Sequence, residues 1–335
     1  MIGIFAYAFN AVAPILLLVL LGYYLREQGK FSQDFFKKAN KLAFHYCFPP
    51  LMFSNLYTLN SIRDVDVTLA VYLIGSVIIL TILGFLVANV ATKVRNRKGV
   101  LIQAGFRSNF AIIGLPLAEG LLGPEGGALA ASMQAPTIIY FNIVSVLALC
   151  IYSENARFDL KKILKNLMKN PLIQGLLAGL VALILREFIP RNGQGELVFS
   201  IEGSLPWLYT VIRYLGRMAT PMCLIALGGQ FNFSDAPAIR RELITGVLMR
   251  LVIAPLLGFS MAFACDYLGW ITMSPAYVGI MVAAYGSPIA VSSAVMASEM
   301  GGDDVLASQI VVWTSMLSMI TVFFMAVVFR AAGLL

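Results

Sequence analysis

The sequence predicts an all-α polytopic membrane protein of ten transmembrane helices, built as two inverted five-helix repeats with broken fourth and ninth helices. Three observations predict it. The chain is 59% hydrophobic and 12% charged, against roughly 45–50% and 25% for soluble domains, and its mean hydropathy is +0.84. Apolar stretches of bilayer length recur along all 335 residues. Two of them are interrupted mid-span by a Gly-x-Pro, Gly114-Leu115-Pro116 and Gly286-Ser287-Pro288. Proline lacks a backbone N–H and clashes with the preceding turn, so each helix is expected to open there. Opened backbone inside hydrocarbon is tolerated only where protein or a water-filled cavity covers it.

About 20 apolar residues cross a bilayer, and the segments fall near 5–25, 38–58, 67–90, 100–122, 126–152, 170–189, 206–229, 241–265, 274–298 and 305–329. No Lys or Arg precedes the first, so it reads as a retained helix rather than a signal peptide. With the N-terminus outside, sixteen basic residues fall on the cytoplasmic side: Arg26, Lys30, Lys37, Lys38, Lys41, Lys93, Arg95, Arg97, Lys98, Arg157, Lys161, Lys162, Lys165, Lys169, Arg240 and Arg241. Arg63, Arg186, Arg191 and Arg330 remain outside. This positive-inside bias puts both termini on the non-cytoplasmic side of the membrane; a plasma (bacterial inner) membrane is the expected location. The basic stretch 153–169 links a first repeat, 1–152, to a second, 170–335. Five helices is an odd number, so the second repeat enters the membrane in the opposite sense. The halves are in register: Pro50 and Pro221 are 171 residues apart, Pro116 and Pro288 172.

Other classes are disfavoured. The net charge of +7 resides in connecting loops, where it sets topology, so nucleic acid is not an expected partner. Cys47, Cys150, Cys223 and Cys265 are scattered singly, which indicates neither a metal site nor a disulfide framework. No H-E-x-x-H, Gly-x-Ser-x-Gly or Walker loop occurs, so an enzyme or an ATP-driven pump is not expected. The 15 Met and the Phe, Tyr and Trp residues read as packing and interface anchors, with no cofactor required.

The stretch Arg107-Ser108-Asn109-Phe110-Ala111-Ile112-Ile113-Gly114-Leu115-Pro116-Leu117, followed by Gly123, resembles the fourth-helix motif of the auxin efflux carrier family. Ala13-Pro14-Ile15 through Leu21-Gly22-Tyr23-Tyr24 to Pro49-Pro50-Leu51-Met52-Phe53 is similar to that family's first two helices. Gly286-Ser287-Pro288, with Ala297 and Gly302-Asp303, is similar to its ninth. The likeness implies a fold shared with bile-acid sodium symporters. Helices 1, 2, 6 and 7 would form a scaffold; helices 3–5 and 8–10 would form a transport domain whose fourth and ninth helices cross at their breaks. It further implies elevator-like movement of a substrate bound at the crossing, and homodimers paired through scaffold helices.

The expectation is therefore secondary transport of small organic anions, such as mono- or dicarboxylates. Opened helices offer unpaired N–H groups and positive dipole ends to a negative charge. The expected binding residues are Asn109, Gly114, Leu115, Pro116, Gln134, Asn142, Tyr285, Gly286, Ser287 and Pro288. Asn109 leads, because an amide donates to a carboxylate and an asparagine at this motif position does so in the resembling carriers. Gln134 and Asn142 stand about 80° apart around one helix, and interhelical bonding is an equal alternative for each. Arg107 is a candidate for anion recruitment or for snorkelling to the interface. His45 and Glu119 are the coupling candidates, against structural hydrogen bonding. Arg213, Arg217 and Arg250 are given no role, and Asp303 reads as solvated. A sodium-coupled symporter and a membrane sensor are the alternatives.

Overall fold

A computed structural model describes residues 2–58, 66–153, 161, 165, 168–190 and 197–335. Most of the predicted linker 153–169, together with Arg63 and Arg191, lies outside the described residues. The regular elements among the described residues are helices. They are α1 (Ile2–Glu27), α2 (Gln33–Leu42), α3 (Phe48–Tyr57), α4 (Val67–Ala91), α5 (Arg95–Phe106), α6 (Leu115–Leu122), α7 (Pro124–Tyr152) and α8 (Pro171–Glu187). After them come α9 (Ile201–Ser204), α10 (Pro206–Gln230), α11 (Arg240–Leu248), α12 (Ala254–Tyr267), α13 (Pro275–Gly286), α14 (Ser292–Met300) and α15 (Asp304–Ala331).

Helix starts follow the side chains that can satisfy the first free N–H groups. Asp66 accepts from Leu69 N at 3.0 Å, Asn170 from Leu172 N at 3.0 Å, Ser274 from Tyr277 N at 3.2 Å and Asp303 from Leu306 N at 2.8 Å. Three described stretches are long and apolar enough to cross a membrane: Val67–Ala91, Ser234–Tyr267 and Asp304–Ala331. A fourth, α7, bends by 41° between Gln134 and Pro136.

Most helix contacts fall in two sets, with α1 touching both: it packs on α10 of the first and on α15 and α6 of the second. α3 lies on α8 and α10, and α10 also carries α1 and α2. A Cβ on Gly22 would collide with the Ile225 carbonyl, and one on Gly228 with the Val19 carbonyl. α1 and α10 therefore meet backbone to backbone, as small residues allow in membranes. The second set joins α4 through α7 with α11 through α15. At its centre α13 is buried on every side from Val278 to Gly286, as expected of a helix that is apolar all round. At one end Arg97 ties the set together, bonding Glu242 at 3.0 Å and Asp303 at 2.8 Å. Burial pulls the Arg97 guanidinium down, but these two carboxylates outweigh it and hold it above its usual range. Asp303, expected to be solvated, is thus an ion-pair partner as well as a helix cap.

The first break is not where the glycine and proline of the fourth segment suggested. The chain leaves helix at Arg107 and re-enters at Phe110; Gly114-Leu115-Pro116 is helical. The reason is a π turn, Phe110–Gly114, in which Leu115 N bonds Phe110 O five residues back. The wider turn makes room for the Pro116 ring without unwinding the helix. The same device recurs: π turns at Ala43–Cys47 and Met249–Ile253 each precede a proline by two residues, Pro49 and Pro255. The second break does follow Gly286, running over 287–291 between α13 and α14.

Candidate functional site

The two breaks meet. Ser108 and Ile289 form an isolated antiparallel bridge. Asn109 N donates to Pro288 O at 2.8 Å, and Ala290 N to Arg107 O at 3.2 Å. Each unwound strand thereby satisfies backbone groups of the other, which is what buried irregular chain requires. Ser108 Oγ adds a bond to Ala284 O at 2.7 Å.

The C-terminus of α13 ends at this crossing, with carbonyls that have no helical partner and a partial negative charge. Arg250, 1% exposed, supplies both the donors and the charge. Its Nε reaches Ser287 O at 2.9 Å, and its Nη2 reaches Ala284 O at 2.8 Å and Tyr285 O at 2.9 Å. This residue was given no role from sequence. It sits within the long apolar stretch Ser234–Tyr267, where the cost of a charge was signal enough to flag it.

Arg107 lies at the other side of the crossing and is buried, 2% exposed, so it does not snorkel to an interface. Its Nη2 donates to Asn142 Oδ1 at 3.0 Å and Ser292 Oγ at 2.8 Å, and its Nη1 contacts Met296 Sδ at 2.7 Å. All three acceptors are neutral. Among the described residues Arg107 forms no ion pair.

A cavity of about 190 Å³ opens against this group. Arg107, Asn109, Asn142 and Ser292 line it, with residues 110–112 that open the helical stretch after the first break and Val291 that ends the second break. Helix starts present N–H groups without intrahelical partners. Asn109 Nδ2 is buried and has no hydrogen-bond partner. The facing wall is mostly apolar and comes from the first helix set: Phe48, Leu51, Met52 and Asn55 of α3, with Thr220 of α10. No carboxylate lines the cavity among the described residues. The arrangement offers positive charge and unpaired donors on one side and apolar surface on the other.

The remaining sequence candidates lie elsewhere. Pro288 and Ser287 belong to the crossing through their backbones but do not line the cavity; Ser287 Oγ bonds Ala283 O at 2.6 Å. Gly286 packs on Val322 and Met325, and Tyr285 OH bonds Ser76 at 2.5 Å. Gly114, against the Phe110 ring, with Leu115 and Pro116, lies in the helix beyond the cavity. Gln134 is buried on α7 outside the cavity. His45 is exposed, its Nδ1 3.0 Å from Lys41 O, and Glu119 is exposed on α6. Sequence reasoning missed Met296 and Thr220, whose types carry no local signal.

Apolar helices broken around a pocket that holds a buried cationic side chain fit a class of membrane protein that handles a solute. The chain belongs to the membrane transport protein family, that of the auxin efflux carriers; the family pattern matches residues 7–326. It is similar to an uncharacterized transporter of Methanothermobacter thermautotrophicus, with 25% identity over 333 residues covering 95% of this chain and 97% of the relative.

Proposed function

We propose that this protein is a secondary transporter of small organic anions, carboxylates in particular, which bind at the crossing of the two broken helices. The observation that carries the reading is the buried Arg107, held only by neutral acceptors, beside a cavity with an unpartnered Asn109 Nδ2. A buried cation is costly without a countercharge, and a carboxylate supplies one while accepting the free amide bond. The ten-span inverted repeat with both termini outside the cytoplasm belongs to the same reading. So does an elevator movement: the cavity wall is shared between the two helix sets, so sliding one set along the other would carry the crossing and its cargo together. No cofactor is needed, and a proton or sodium gradient is the candidate drive.

Uptake of labelled carboxylates into proteoliposomes, with sodium and pH gradients imposed separately, tests the function and its coupling. Asn109→Ala removes a donor that has no partner within the protein, so folding is retained while affinity falls. One charge-assisted bond is worth about 1.5–3 kcal/mol, or roughly ten- to over a hundredfold in affinity. Unchanged uptake kinetics in that variant would remove Asn109 from the site.

A further inference from the structure

A second and larger cavity, about 870 Å³, adjoins the crossing on the side of α9 and the start of α10. The two cavities share Leu51 and Asn55 of α3, so their walls are continuous. Its described charged lining is three arginines, Arg186, Arg213 and Arg217, and one carboxylate, Glu202. Arg186 is engaged by the Tyr57 carbonyl at 2.8 Å. Arg213 lies over the Tyr209 ring at 5.7 Å; both it and Arg217 are exposed and line the cavity, and Arg217 also borders an apolar groove with Tyr214 and Met218.

The placement of the last two is telling. At 1.5 Å per residue they stand about 10 and 16 Å inside α10, a helix about 37 Å long. On the ten-span reading α10 crosses the bilayer, and charges at such depth are expensive unless they face a wet cavity or a partner; they mark ion and substrate paths. Arg213, Arg217 and Thr220 follow at i, i+4 and i+7, which puts them on one face of the helix. Thr220 lines the crossing cavity. The stripe therefore runs from the wide cavity to the narrow one. The cavity at the opposite end, about 610 Å³, has a different balance: Arg26 and Lys37 against Glu27, Asp235 and Asp304.

We propose that Arg213 and Arg217 form an anion-collecting vestibule, a stepwise electrostatic path that concentrates small organic anions at the mouth of the crossing cavity. This rests on the anion-transport reading for its cargo, but the positive potential is measurable without it. Electrostatic focusing in a low-dielectric cleft raises local ion concentration and falls steeply with salt. The described linings of the two cavities differ in sign, so apparent affinity for an anion is expected to be higher from the vestibule side than from the other.

The test replaces Cys47, Cys150, Cys223 and Cys265 with serine and introduces Thr58→Cys, a vestibule-lining position, as reporter. Its reaction rates with an anionic sulfonatoethyl and a cationic trimethylammonioethyl methanethiosulfonate are compared in about 10 mM salt, where the screening length is about 30 Å. The anionic reagent is expected to react faster. That preference should fall about tenfold in the Arg213→Gln, Arg217→Gln pair, return in the Arg213→Lys, Arg217→Lys pair, and collapse in about 1 M salt. A preference unmoved by the glutamine pair, or not restored by the lysine pair, overturns the proposal. Asn109→Ala, which should lower carboxylate affinity about tenfold or more, leaves the reagent preference intact. Normal uptake with that variant would defeat the transport site and not the vestibule.

Discussion

Replacing Arg250 with glutamine should unfold this protein's centre without touching the cavity wall. The side chain makes three charge-assisted bonds to carbonyls at the end of α13. Ala284 O would keep its bond from Ser108 Oγ, but Ser287 O and Tyr285 O would lose the donor that Arg250 provides. An unsatisfied buried carbonyl costs about 1–3 kcal/mol, so the two together cost about 2–6 kcal/mol, before counting the lost compensation of the helix dipole. The assay is thermal unfolding of the purified protein in detergent, with Arg250→Lys beside it. Lysine restores charge but not the fork geometry that reaches three carbonyls, and should recover only part of the loss. If Arg250→Gln melts with the unaltered protein, the arginine is not what holds the broken end of α13, and its burial needs another account.

Removing the charge of Arg107 with Arg107→Leu should weaken carboxylate binding by about 3 kcal/mol, roughly a hundredfold, for a cargo carboxylate about 5 Å away at an effective dielectric near 20; titration calorimetry with a transported acid checks it. Gly228→Leu should separate α1 from α10, because the Val19 carbonyl already occupies the space of a Cβ; loss of folded monodisperse protein on size exclusion is the expected readout. Arg97→Gln breaks two partly buried ion pairs and should lower stability by about 1–3 kcal/mol in thermal unfolding, while binding affinity at the crossing is unchanged.

Helical character and membrane class were legible because they rest on composition and segment length, which tertiary context does not alter. The location of the first break was not. Pro116 does mark an irregularity, but a proline states only that the local α pattern must yield. Whether it yields by widening one turn or by unwinding depends on partners distant in the chain. Here unwinding occurs at Ser108, where Ile289 is available to pair with it, and the helix at Pro116 widens instead. In the second half the break coincides with Gly286-Ser287-Pro288, because Arg250 and Asn109 are both in place to take up the freed carbonyls. Among the polar candidates, the structure brings Arg107, Asn109 and Asn142 to one cavity and leaves Gln134 away from it. The two α7 amides were alike in sequence; the helix bends by 41° between them, after Gln134. The charge of Arg250 in an apolar stretch was legible, but its role was not, because its partners are carbonyls, which leave no trace in residue types.

The three π turns bear on how this chain can change over time. Each holds a surplus residue that rotates and advances everything after it, and each stands two positions ahead of a proline. Deleting that residue would re-form an ordinary turn, only to drive the pyrrolidine ring into it and swing the following helix about 100° off its facing. Mutating the proline alone would leave the surplus residue with no ring to accommodate. Bulge and proline are thus expected to be gained or lost as a unit, and single-residue deletion scanning across 43–47, 110–114 and 249–253 should find these fifteen positions among the least tolerant in the molecule.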